Sequence, residues 1–538
     1  MLTRASLRFY AATHVMVVLG VAVAVAVLAG ALLVGASVRD SLKQIALGRL
    51  GATDVIVTSP TFFRTALADN LLTRSTQPQQ TQLGARVDAY RALRSTAPVV
   101  VFGGAVVHDE SKRTAGQVMV YGIDERFGRF HGVDGFSVTG RDALISAALA
   151  QEVGAKSGDT LTLRVAKPTD IPLSTLQGRR ETTGERVRVT VTRVLDDAAL
   201  GEFSLAPTQG PVFAIYVPMG RLQRDLGLGD RANTILLSMN DPAESDRAKM
   251  VRELIAPVAT LDDLGLRIRR TTAAATLVET RAGLLTDDLV ATIEDLAARD
   301  RRMVVPALTY VANTIRIGNR EIPYSIVSAV DLDAYNRMAG SVGPPGNRNG
   351  SPPPAAAAPV FSSHAPIWLN EWAVADLKAR IGDEVTLEYF LWSDADGLAS
   401  SSARFTLVGI APMNGIGGDA TLTPDYPGIS DAADMTSWDP PFPVELKRIR
   451  KQDEDYWDRY RAAPKAIISL AEGQRLWGSR YGRVSSMRLS GGQPVSAQSI
   501  APAAAGFTAR AVRAEALSAA QGTTDFGEYF LYFSFFLV

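Results

Sequence analysis

The chain contains no cysteine in 538 residues, which removes disulfides, thiolate metal ligands and cysteine nucleophiles together. It has only four histidines, His14, His108, His131 and His364, and they show no metal-ligand spacing. His131, beside Gly132 and Asp134, reads as a loop histidine rather than a metal ligand or acid-base group. It has no excess charge of either sign, with 56 Lys and Arg against 56 Asp and Glu. That balance leaves no electrostatic footprint for nucleic acid or another polyanion. A P-loop of the form G-x-x-x-x-G-K-S/T is missing, and so are G-x-S-x-G and H-E-x-x-H. No residue carries a catalytic, cofactor or metal label, and the chain is expected not to be an enzyme. A disulfide-free exported protein also fits a bacterial envelope.

What is present is a long apolar run near the start and a shorter one at the end. His14–Gly35 is apolar apart from its first residue, and 22 residues cover about 33 Å as helix, enough for a bilayer core. The alternative is a cleaved signal peptide ending near Val34-Gly35-Ala36, but an apolar signal core runs only about 7–15 residues. Arg4 and Arg8 precede the span without an acid, whereas Arg39, Asp40, Lys43 and Asp54 follow it. This bias places the N-terminus in the cytoplasm and the bulk outside. Gly20, Ala22, Ala24, Ala26 and Gly30 give the span small side chains on which other membrane helices could pack closely. Beyond it, Val38, Leu42, Ile45 and Ala46 fall at helical spacing, interrupted by Arg49 and stopped at Gly51. They predict either a stalk, the preferred reading, or an amphipathic helix lying on the domain.

The interior carries a duplication. Ala148–Leu163 (ALAQEVGAKSGDTLTL) aligns with Trp372–Leu387 (WAVADLKARIGDEVTL), placing Gly158-Asp159 on Gly382-Asp383 at an offset of 224. Arg188–Val194 parallels Arg404–Ile410, and Val118–Asp124 parallels Ser325–Asp331 at an offset of 207. Pro211–Leu222 parallels Pro464–Arg475 at an offset of 253. Repeats in one order mean two copies of one supersecondary unit, and the Gly-Asp pairs read as tight helix-to-strand turns. The second copy gains a Pro/Gly/Ala loop over Gly340–Pro359 and a longer insertion holding Tyr426, Trp438, Phe442, Tyr456, Trp457 and Tyr460. These aromatics are expected to pack over their own domain. The acidic run Asp453, Glu454, Asp455 and Asp458 reads as a solvated helix face rather than a calcium site. Gln77–Gln82 reads as a loop, His108–Gly116 as a hairpin turn, and Asp241-Pro242 as a helix start. Ala514–Ala520 is expected to be a helix closed by Gly522.

The resulting division is a cytoplasmic N-terminus (1–13), a transmembrane helix (14–35), a stalk helix (36–51) and a first α+β unit (52–240). A linker helix region (241–264) leads to a second α+β unit (265–490) with insertions near 340–360 and 411–463. A return segment (491–528) and the start of a second transmembrane helix (529–538) follow. The expected fold class is α+β, an N-terminal membrane helix with stalk and two related extracytoplasmic units.

This order of span, stalk, large α+β region and return, with ALISAALAQEVGAKSGDTLTL and its counterpart RFTLVGI, resembles the MacB/FtsX-like permeases of ABC transporters. The ending DFGEYFLYFSFFLV is similar to that family's entry into a second span. The resemblance implies a permease subunit in a bacterial inner membrane that works by mechanical transmission. It further implies a separate cytoplasmic ABC ATPase as partner, membrane lipid around the span, and pairing as a homodimer or with a second permease. The substrate would be a lipoprotein, lipid or peptide handled outside the membrane. Two departures stand out, the doubled unit and the absence of later spans. A singly anchored binding or adaptor protein is the alternative, and an anchored hydrolase a third.

Overall fold

The computed structural model describes residues 9–76, 93–133, 135–165, 185–208, 210–240, 247–271, 275–341, 364–393, 397–426, 428–440, 442–491 and 494–521. The expectations for Gln77–Gln82, Asp241-Pro242, nearly all of Gly340–Pro359, Gly522 and Tyr529–Val538 lie outside these residues.

The N-terminal run forms one uninterrupted helix, α1 (Ala11–Leu50), of 40 residues, hence about 60 Å long at 1.5 Å per residue. Among the described residues it is the one helix long and apolar enough to cross a membrane. Ala, Val and Leu dominate its first half, and no proline interrupts its bonding ladder. It stops at Gly51, whose φ of 53° and ψ of −127° suit glycine, and whose N–H turns back to Leu47 O and Gly48 O.

Two nine-stranded sheets follow. The first unit runs β1 (Val55–Arg64), α2 (Ala66–Thr76), β2 (Leu93–His108), β3 (Thr114–Ile123), α3 (Glu125–His131), β4 (Asp142–Ser146) and α4 (Ala147–Val153). It continues with β5 (Thr160–Val165), β6 (Glu185–Leu195), β7 (Ala214–Pro218), α5 (Met219–Asp225) and β8 (Arg231–Met239). Strand β2 serves two surfaces: Leu93–Val99 pairs with β8, while its remainder pairs with β3 and β5. Because β2 touches both β3 and β5, the order β2-β3-β7-β4-β6-β5 closes on itself as a six-stranded ring. Closure leaves that part of the sheet without an edge.

A connecting helix α6 (Arg247–Ile255) and strand β9 (Leu266–Arg270) lead to the second unit. Its elements are β10 (Thr276–Thr280), α7 (Asp287–Arg299), β11 (Val304–Ile317), β12 (Arg320–Val330), α8 (Leu332–Ser341), β13 (Ala365–Asn370) and α9 (Glu371–Leu377). Then come β14 (Glu384–Ser393), β15 (Gly397–Ala411), α10 (Lys451–Tyr460), β16 (Ala466–Ile468), α11 (Leu470–Trp477) and β17 (Ser486–Leu489). Its ring β11-β12-β16-β13-β15-β14 closes in the same sense. The likeness extends to detail. The parallel pair β4/β6 slips register between Ala143 and Leu144, and β13/β15 slips between Ile367 and Trp368. Ser146 caps α4 through its Oγ, and Asn370 caps α9 through its Oδ1, at the equivalent position. At one block the structure moves the alignment. Val120 pairs with Ile215 and Val327 with Ala466, so the offset there is 251 rather than 253. A proline shared by both segments drew the sequence match two residues out of register.

The chain ends its described part with β18 (Thr508–Arg510) and α12 (Val512–Gln521). Strand β18 pairs antiparallel with β1, not with the second unit. Conversely β9, which follows the first unit, pairs with β10 of the second. Each unit therefore completes its open edge with the strand that trails the other. The two also share one apolar core. Phe63, Leu67 and Leu71 of the first unit belong to the same buried cluster as Leu289, Ile293 and Met487 of the second.

The insertion after β15 packs on its own unit. Tyr426, Trp438, Phe442, Tyr456 and Trp457 are all buried, and Tyr426 also bonds through its hydroxyl to Thr309 O. Asp453 corrects the reading of the acidic run as a solvated face, because it is fully buried, whereas Asp455 and Asp458 are exposed. Arg450 donates to both Asp453 carboxylate oxygens, at 2.8 and 2.9 Å. Lys465 Nζ lies 3.5 Å away over the rings of Trp372 and Tyr456. Burial opposes ionisation of Asp453, but Arg450 and Lys465 hold its carboxyl below the usual range. Burial pushes the Lys465 amine down to about 8, against the pull of Asp453. Glu454 accepts from Met435 N and Thr436 N and so fixes the preceding loop.

Candidate functional site

The last turn of α1 is where the long apolar helix becomes part of a folded domain. The stripe Val38, Leu42 and Ile45 stays exposed, at 43%, 43% and 51%, so this stretch of α1 is not packed on the domain. Docking begins at Ala46 and is complete at Leu50, which is 3% exposed within a cluster of Tyr121, Phe127, Phe203 and Tyr216. Arg49 is the polar fixing point. Its Nε and Nη2 donate to Glu202 at 2.8 and 2.7 Å, and Nη2 also donates to Gly210 O at 3.1 Å. Ser204 N–H in turn donates to Arg49 O at 3.0 Å. A guanidinium making bonds in several directions holds a helix end against both tilt and rotation.

Immediately after, the backbone N–H of Ala52 donates to His131 Nδ1 at 3.1 Å. His131 sits at the end of α3 rather than in a loop, packed against Phe127, Phe130 and Phe203 with ring centroids 4.6–5.2 Å away. Burial lowers its pKa to about 3, so the ring is neutral, with Nδ1 free to accept. Gly51 leaves the space that this contact needs, since a Cβ there would stand 2.4 Å from His131 Nδ1.

Asp54 then ties the entry to the rest of the sheet. Its N–H donates to Leu237 O at 3.0 Å, and its Oδ2 accepts from Met239 N–H at 2.8 Å. Its Oδ1 lies 2.6 Å from Arg513 Nε, in an ion pair with α12. Arg513 Nη2 donates to Gly51 O at 2.7 Å, and its backbone N–H to Asp54 O at 3.3 Å. Helix α12 starts beside the end of α1 and packs against it, burying Val512 and Ala516 in the cluster that holds Leu50. The arrangement bonds the end of α1 to Glu202, to β8 and to α12.

The residues singled out in the sequence lie elsewhere. Gly20, Ala22, Ala26 and Gly30 are exposed on α1 and Ala24 is half-buried; a Cβ built on Gly20 or Gly30 meets nothing within 4 Å. Gly158 and Gly382 have φ of 98° and 96°. Their N–H groups donate to Val191 O and Leu407 O at 2.7 and 2.8 Å. Asp159 and Asp383 each accept from the backbone N–H three residues earlier, Lys156 at 2.7 Å and Arg380 at 2.8 Å. These are matching structural turns, remote from the stalk junction. Sequence reasoning passed over Arg49, Asp54, Glu202 and Arg513. Arg49 left a trace as a charge breaking an apolar stripe, and Asp54 only as one of the charges after the span. Among the described residues no cluster of metal-ligating side chains occurs.

The model of the MacB-like periplasmic core domain family matches residues 15–255, from α1 through the first unit to α6. Among solved structures, the chain is similar to the periplasmic region of MacB from Actinobacillus actinomycetemcomitans. That likeness has 12% identity and a TM-score of 0.23, and covers 39% of this chain and 87% of that one. It is also similar to the extracellular domain of the ABC-type transporter YknZ from Gram-positive bacteria, at 12% identity, TM-score 0.22, and 37% and 93% coverage. No curated protein matches the chain. Residues 15–255 thus match the MacB-like periplasmic core domain family, somewhat less than half of the chain.

Proposed function

We propose that this chain is a permease subunit of an ABC transporter in which movement of membrane helices is delivered mechanically to an extracytoplasmic domain. A separate cytoplasmic ATPase supplies the energy, and the chain itself performs no chemistry. The N-terminus (1–13) faces the cytoplasm, 14–35 cross the inner membrane, and 36–51 form the stalk. The units of 52–240 and 265–490, with the linker 241–264, handle an envelope lipoprotein, lipid or peptide outside. Residues 491–528 return the chain to the bilayer and 529–538 enter it. Gly20, Ala22, Ala24, Ala26 and Gly30 supply the small side chains against which a second copy or a second permease packs in the lipid.

One observation carries this reading. A single helix runs from its membrane-length apolar half to Leu50 without a break, and its far end is fixed by Arg49, Gly51 and Asp54. A continuous helix carries axial displacement, and a joint bonded in several directions does not absorb it. The test is purification from native membranes in mild detergent, followed by an ATP hydrolysis assay. An ABC ATPase is expected to co-purify, and the isolated chain to be inactive. Hydrolysis that stays with the isolated chain, or repeated recovery with no ATPase partner, overturns the reading.

A further inference from the structure

We propose that Arg513 is the positioning residue of a clamp that fixes α12 to the base of α1, so that the two helices swing as one lever. The chain enters the first unit at β1 and leaves it at β18, and these strands are neighbours. Ile56, Val57 and Thr58 pair with Arg510, Ala509 and Thr508. Entry and exit therefore meet at one point although nearly the whole chain separates them. Three paired residues are a short ladder, and α12 buries only Val512 and Ala516 deeply. Burial of two such small side chains stabilises by about 2 kcal/mol. The charge-assisted hydrogen bond to Gly51 O is comparable at about 1.5–3 kcal/mol and the ion pair to Asp54 adds to it, so the Arg513 contacts decide how rigid the joint is.

The geometry of Arg513 suits that task. One guanidinium reaches Asp54 Oδ1 with Nε and Gly51 O with Nη2, joining the first residues after α1 to the first turn of α12. Asp54 holds Met239 N–H with its other oxygen, which anchors the clamp to β8. Lysine carries the same charge but lacks the fork needed to reach both acceptors. Arg510, by contrast, pairs among the described residues with Glu515 on the exposed side of α12. A loose joint would let α12 pivot without α1. The clamped one obliges force on either helix to act on β1 and β18 together, and so on the first unit before the second.

The use of the clamp in transport rests on the mechanical reading above; its existence does not. The native absence of cysteine allows spin labels at Leu42→Cys on α1 and Ser518→Cys on α12, both exposed, in the full chain reconstituted in nanodiscs. Electron–electron resonance is expected to give one narrow distance population. Arg513→Ala should add a population at a different, broader distance, Arg513→Lys a smaller one, and Arg510→Ala none. If Arg513→Ala does not fold, the Arg513→Lys comparison decides. Unchanged distributions in a folded Arg513 variant, or an equal change with Arg510→Ala, overturn the clamp. Absence of a co-purifying ATPase would overturn the transport reading and leave these distances untouched.

Discussion

Acid should weaken the stalk junction through one residue, His131. Its pKa of about 3 in the folded protein lies below the ordinary value near 6.5. Between those values the unfolded chain binds a proton at this ring and the folded chain does not. Stability from this group is therefore fully present above pH 6.5 and falls as pH drops toward 3. A wholly enclosed ring would lose about 2.7 kcal/mol by pH 4.5, at 1.36 kcal/mol per unit. His131 is half-buried, and allowing for solvent screening leaves about 1–2 kcal/mol. The physical origin is direct. Protonating Nδ1 turns the acceptor for Ala52 N–H into a donor facing a donor, among phenylalanines that cannot solvate the charge. The assay is thermal or chemical unfolding of the detergent-solubilised chain from pH 7.5 to 4.5, beside His131→Gln, which does not titrate. The variant should be less stable at pH 7.5 and the gap should close as pH falls. A gap that stays constant across the range would refute the account of His131 as a neutral acceptor.

Gly51→Ala should destabilise by about 3 kcal/mol and shift His131, since the added methyl would stand 2.4 Å from Nδ1; denaturant midpoints and the histidine NMR signal report both. Gly158→Ala and Gly382→Ala meet open space, so each should lose only the backbone cost of positive φ, about 1–2 kcal/mol. Unequal losses would show that the two turns are not alike. Asp453→Asn leaves buried Lys465 without its 3.5 Å carboxylate while Arg450 keeps Asp376, and should lose about 3 kcal/mol, with Lys465→Met losing less; urea unfolding ranks them. Because α2 and α7 share one core, calorimetry should record the two units unfolding in a single transition, and two resolved transitions would contradict the shared core.

The membrane helix and the doubled α+β plan are legible in the sequence because they rest on local signals. A 22-residue run that is apolar after its first residue has few other uses, and Gly-Asp between a helix and a strand leaves a short, repeatable mark. The exchange of β9 and β18 is not legible, since a three-residue strand such as TAR has no period to read and its partner lies some 450 residues away. Asp453 misled because charge run and helix spacing describe exposure only for an isolated helix, and here Lys465 arrives from another segment. Arg513 looks like any surface arginine until the fold brings Gly51 O and Asp54 beside it. Residues that join distant parts of a chain leave no local pattern.

The insertion into the second unit has a consequence for how far the copies are interchangeable. In the first unit Ile123, Leu195 and Tyr216 face Leu50, Leu200 and Phe203. In the second their equivalents Val330, Ala411 and Ile467 face Ile416 and Leu422 of the insertion. One copy keeps a socket and the other has plugged it with its own chain. Two aromatics of the lining change with it, Tyr121 and Phe127 giving way to Ser328 and Ala334, while Tyr335 is buried in the second cluster. Exchanging the copies would place the insertion's Ile416 and Leu422 where Leu50 now packs, so the two units are not interchangeable along the chain.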